Sequence, residues 1–182
     1  IDVSNQYGVN MFNTIYAEAE YLHPLNEDWK LRLGVQITDQ RAVGDALLAK
    51  ADGKYWVTHA GGARLQLSYR ELTLTAAFSI TGAGNTIQNP WGAFPGYLAM
   101  IDQNFDRADE KAWLIGAAYD FSKLLTPGLS ANVNLVWGVD AISPSTRKTA
   151  PNQAEYDLTA DYRFPKSAPA FLQGVWFRAR SA

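Results

Sequence analysis

The constraint that bears hardest on this chain is an alternation of apolar and polar residues with period two, repeated segment after segment and broken by turn-forming residues. Trp29 to Thr38 shows it most clearly: Trp29, Leu31, Leu33, Val35 and Ile37 interleave with Lys30, Arg32, Gly34, Gln36 and Thr38. Successive side chains of a strand point to opposite faces, so the two sets separate on a strand and would mix on a helix. The same pattern recurs over Ala63 to Tyr69, Leu72 to Ile80, Trp113 to Phe121, Leu129 to Val139 and Tyr156 to Phe164, and the apolar set of these strands carries no charge. Met11 to His23 and Phe171 to Ser181 read as two less regular flanking strands. The pattern predicts an all-β, antiparallel fold of about eight strands, in one domain over residues 1–182.

The connections alternate in length. Those around Leu25 to Asp28, Arg70 to Glu71, Ser122 to Gly128 and Pro165 to Ala170 are short, while Gln40 to Lys54, Gly82 to Arg107 and Ala141 to Ala154 are long and rich in turn-forming residues. Short turns at one end and long loops at the other describe an outer-membrane barrel, with periplasm and exterior respectively.

The apolar face could instead be the buried core of a soluble barrel or sandwich. Its aromatics argue for lipid. Tyr21, Trp29, Tyr69, Tyr119, Phe121, Tyr162, Phe164 and Phe171 gather at the short-turn end, Phe78, Trp113, Trp137 and Tyr156 at the long-loop end, and the middle is aliphatic. That is an aromatic girdle at each membrane interface. About ten residues at roughly 3.3 Å each, tilted about 40°, span the roughly 25 Å apolar band of such barrels. Mean hydropathy of −0.19 is compatible with this, because the lumenal residues dilute it.

Other classes find little support. A net charge of −2 provides no cationic field for nucleic acid. His23 and His59 are the only histidines and no Gly-x-Ser-x-Gly elbow occurs, so no catalytic residues are assigned. With no cysteine, no dense histidine cluster and no phosphate-binding loop, no metal site or cofactor is expected. If the short turns are periplasmic, both flanking strands leave the chain ends outside the cell. The expectation is then a partial barrel lacking strands on both sides.

Several runs resemble the later strands of OprD-type outer-membrane porins: Phe105-Asp-Arg-Ala-Asp-Glu-Lys-Ala-Trp113, Ala118-Tyr-Asp-Phe121, Pro127-Gly-Leu129, Val136-Trp-Gly138, Glu155-Tyr-Asp-Leu158 with Asp161-Tyr162, and Trp176-Phe-Arg-Ala-Arg180. Gly44-Asp45-Ala46-Leu47 fits as well. The resemblance implies strands ten to seventeen of an eighteen-stranded, monomeric barrel, lacking the N-terminal half and the closing strand. It implies a narrow channel for small polar solutes such as carboxylates or amino acids, in contact with outer-membrane lipid and lipopolysaccharide. It also implies a lumenal ladder of arginines, which Arg178 and Arg180 match as an Arg-x-Arg pair, with Arg163 and Arg64 as further rungs by their lumenal parity. Guanidinium groups suit the task because they are permanently charged and bind carboxylates bidentately. In the family the loop corresponding to Gly82–Arg107 folds inward to narrow the pore, and Asp102, Asn104 and Asp106 would form an acidic wall on it. The alternatives are an exposed loop packed on its neighbours and, for the whole, a barrel with hydrolase activity or a plugged structural or adhesive barrel.

Overall fold

The computed structural model of the chain describes residues 1–48, 55–92 and 95–182; the expected loop residues 49–54 and the ring of Phe94 lie outside these. Among the described residues, nine strands form one antiparallel sheet in sequence order: β1 (Asp2–Gly8), β2 (Phe12–Pro24), β3 (Trp29–Ala42), β4 (Val57–Tyr69), β5 (Leu72–Thr81), β6 (Lys111–Asp120), β7 (Leu129–Val139), β8 (Gln153–Arg163) and β9 (Trp176–Ser181). A meander of this kind follows from local connections, since each strand pairs with the next through its own turn.

The sheet corrects three expectations. There is a ninth strand: Asp2–Gly8 pairs with β2 in a register that sets Asp2 opposite Glu18. The first strand in the chain is therefore β1, and Asp2 lies level with the middle of β2 and not beyond its outer end. Its mixed sequence, Asp-Val-Ser-Asn-Gln-Tyr-Gly, hides it from a pattern search. The last strand begins at Trp176 and not at Phe171, because residues 165–172 close successive tight turns through Ala168 N–H to Pro165 O and Leu172 N–H to Pro169 O. β3 and β4 also run further than their alternation predicts, to Ala42 and back to Val57.

Burial is inverted relative to a soluble protein. On β3, Val35 and Ile37 are 57% and 66% exposed, whereas Gln36 and Gln40 on the opposite face are 6% and 1% exposed. A water-soluble sandwich would bury the first pair and solvate the second. Leu33, Leu65, Ile115, Val133 and Leu135 share the exposed outer face, which suits lipid contact. Rings meet there across neighbouring strands, Trp29 with Tyr69 (4.6 Å) at one level and Phe78 with Trp113 (5.4 Å) and Trp113 with Trp137 (6.2 Å) at the other.

Packing happens on the inner face. Ala77, Ala112, Leu114 and Val136 occupy inner positions of β5, β6 and β7, and Leu98 and Phe105 of the 82–110 connection lie on them. A second cluster of Phe12, Ala42, Ala46 and Trp56 closes the long-loop end of β2 and β3. The turn before β7 depends on Gly128, whose φ of +88° and contact with the Arg163 backbone leave no room for a side chain.

Candidate functional site

The 82–110 connection between β5 and β6 crosses the inner face and is tied to both flanks of the sheet. On the β2–β3 side, Gln40 grips Gln88 through two bonds, donating to its carbonyl (2.8 Å) and accepting from its N–H (2.7 Å). Gln36, with its amide oriented to satisfy both ends, donates to the Pro95 carbonyl (3.0 Å) and accepts from the Tyr97 N–H (3.1 Å). Tyr97 donates its hydroxyl to Glu18 (2.8 Å), and Arg64 stacks on its ring at 4.1 Å. Burial and the Glu18 carboxylate push the Tyr97 hydroxyl pKa upward, so it stays a donor.

On the β8 side two carboxylates receive the loop backbone. Glu155 accepts from the N–H groups of Asp102 (2.9 Å) and Gln103 (2.8 Å), and Asp157 accepts from that of Ile101 (3.1 Å). Bonds to ionised acceptors are stronger than neutral ones, and both carboxylates are buried. Leu98 supplies the apolar anchor between these ties.

The four arginines singled out in the sequence fall into two groups. Arg178 makes a bidentate contact with Asp161 (2.7 and 3.1 Å) and lies over Trp176 at 4.2 Å. Arg163 approaches the same ring at 5.4 Å, and Arg180 stands opposite Thr159, two residues from Arg178. Arg178 and Arg180 border a cleft of about 330 Å³ shared with Met100, Ile101, Asn132 and Asp157. Arg64 sits apart on β4, paired with Glu20 and 3.8 Å from Glu18. Its charge is matched locally.

The three acidic-wall residues also separate. Asp102 and Asn104 are exposed, but Asp106 is buried with one carboxylate oxygen unpartnered, so it is not part of an exposed wall. Burial, and then the nearby Glu110, push its pKa up to about 7. Glu110 is fully buried and holds Arg107 through the backbone N–H (3.0 Å) and the guanidinium (2.7 Å), and takes a bond from Gln153 (3.0 Å). His59 pairs with Asp39 and His23 with Tyr21; the two histidines sit near opposite ends of the sheet.

The sequence profile described as "outer membrane porin, OprD family" matches residues 7–182. The chain belongs to the OprD family of outer-membrane porins. Solved porins share its fold: OpdK of Pseudomonas aeruginosa, determined with vanillate, at 21% identity and a TM-score of 0.81 over 94% of this chain and 43% of that one; OccK9 (OpdG) of Pseudomonas aeruginosa at 22% identity, TM-score 0.81, over 94% and 42%; and a BenF-like porin of Pseudomonas fluorescens Pf-5 at 15% identity, TM-score 0.80, over 94% and 42%. The chain therefore spans less than half the length of these porins. No curated protein matches the sequence as a relative.

As an OprD-family porin, a protein of the bacterial outer membrane, the chain has the polar inner face of a barrel wall, and the connection across that face is its largest irregular segment. Of the residues that tie it down, Glu155 and Asp157 lie in a porin-like run that gives no sign of this role, and Tyr97 and Gln40 do not stand out in the sequence. A signal did exist. Ala77, Leu114 and Val136 put apolar groups on the otherwise polar face of three consecutive strands, which marks a patch that something must cover.

Proposed function

We propose that this chain supplies part of the wall and the constriction of a narrow, substrate-selective channel for small polar solutes such as carboxylates or amino acids. Arg178 and Arg180 are its main anion-binding rungs, with Arg163 beside them and Arg64 across the lumen. The observation that carries the reading is the placement of Arg178 and Arg180 at the cleft beside Ile101, where the inward-folded connection meets β8 and β9. A solute passing there meets guanidinium groups able to bind a carboxylate bidentately. Arg178 is also shared with Asp161, which weakens its grip enough for release, and passage needs binding that is loose as well as specific. The vanillate of the solved OpdK complex is a carboxylate of the expected kind.

Single-channel recording on the full-length porin tests this. We expect a small conductance that benzoate interrupts in a concentration-dependent way, and an apparent benzoate affinity at least tenfold weaker in the Arg178→Ala plus Arg180→Ala variant, the loss of about 1.4 kcal/mol. No conductance would refute the channel, and unchanged benzoate affinity in the double variant would refute the rungs.

A further inference from the structure

The inner face holds a second cavity, on the other side of the connection from Arg178 and Arg180. Among the described residues it is bounded by β1, β2 and β3 and by Gln88, Asn89, Trp91, Gly92 and Pro95, with a volume of about 320 Å³, at the lower end of the roughly 300–1,000 Å³ of small-molecule pockets. Thr14 and Gln40 set it near the long-loop end of the sheet, ahead of the constriction for a solute arriving from outside.

Its chemistry differs from that of the arginine cleft. None of the described residues lining it carries a charge; Ser4, Gln6, Thr14, Gln40 and Asn89 present hydroxyls and amides, and Trp91 presents an indole. The floor is preorganised. Gln40 donates to Thr14 (2.8 Å) while both its amide atoms are held by Gln88. Trp91 leans on Phe12 at 5.5 Å, which fixes the ring, yet 54% of its surface is open.

A charged solute would shed hydration here without a counter-charge, and an apolar one would strand the amides. A neutral polyhydroxylated ring satisfies both demands: its hydroxyls exchange bonds with the exposed Gln6 and Ser4, and its C–H face covers the indole. We propose that this pocket binds neutral polyhydroxylated solutes, sugars or polyols, at the outer mouth of the channel independently of the arginines.

The test uses the full-length porin in planar bilayers with sucrose added on the long-loop side. Sucrose is expected to produce saturable current interruptions, distinct from the linear fall in conductance that follows bulk viscosity. Trp91→Ala should raise the half-saturating concentration about tenfold, and Gln6→Ala should raise it severalfold. Trp91→Phe, which keeps a ring, should retain most of the binding, and it decides the matter with Gln6→Ala if Trp91→Ala fails to insert. Arg178→Ala plus Arg180→Ala should leave sucrose binding unchanged. Absence of saturable interruption, indifference to both the Trp91 and Gln6 changes, or loss of sucrose binding with the arginines would each overturn the site. A conducting channel that binds benzoate and ignores sucrose overturns this site alone, whereas a silent one overturns the channel.

Discussion

Gly34 of β3 and Tyr97 of the 82–110 connection are matched in shape: a β-carbon at Gly34 would lie 2.5 Å from the Tyr97 hydroxyl oxygen. The missing side chain is a notch in the wall, and the ring that fills it is held there by Glu18 beneath and Arg64 above. Gly34→Ala should therefore dislodge Tyr97 and loosen the connection at a cost of about 1–3 kcal/mol, that of a hydrogen bond to a charged acceptor. A larger single-channel conductance in Gly34→Ala, matched by Tyr97→Ala, is the expected result. Wild-type conductance in both would mean that Tyr97 does not hold the constriction.

Glu155 acts on the opposite flank. Replacing it with Ala leaves the amides of Asp102 and Gln103 without their acceptor, again about 1–3 kcal/mol. Limited proteolysis should then cut the connection between Tyr97 and Asn104 faster in Glu155→Ala than in the wild type, while the sheet survives, because its strand pairing does not involve this side chain.

Asp161 shares the guanidinium of Arg178 through a bidentate contact. Asp161→Asn keeps the shape and removes the charge, so Arg178 becomes fully available to an anion. Benzoate affinity measured by current interruption should rise severalfold, opposite in sign to the effect of Arg178→Ala.

The root of the connection should respond to pH through Asp106. Its pKa in the folded protein, about 7, lies above the ordinary value of about 3.9 in an unfolded segment, so folding favours the protonated acid. That contribution is fully present below about pH 4 and is lost as pH rises through about 7. After correction for the intrinsic pH dependence of exchange, amide protection around Ile87 and Ala108 should fall from pH 5 to pH 8, and Asp106→Asn should make it flat.

The strands and their facing were legible in the residues because a period of two leaves few alternatives. Val35 and Ile37 had to share a face, and the girdle rings had to sit at its two ends. β1 escaped because Asn5 stands between Val3 and Tyr7 on the outward face, so polar groups occupy both faces and leave no alternation to read. The match of Arg178 and Arg180 to one face was equally a matter of parity.

What the sequence determined by itself is thus most of the sheet, its apolar outer face and the face on which the strand residues Arg64, Arg163, Arg178 and Arg180 lie. Only the tertiary structure decided which of those residues meet. Asp106 looked equivalent to Asp102 in a row of alternating acids, yet the return of the connection toward β6 buries one and exposes the other. Arg64 and Arg178 share a face and a charge and each pairs with a carboxylate, Glu20 for the first and Asp161 for the second, yet of the two it is Arg178 that borders the cleft beside Ile101. The reason is that alternation is a property of one strand, whereas the 82–110 connection is positioned by contacts with β2, β3, β7 and β8 at once, through Glu18, Gln40, Val136 and Glu155, residues distant from it in the chain.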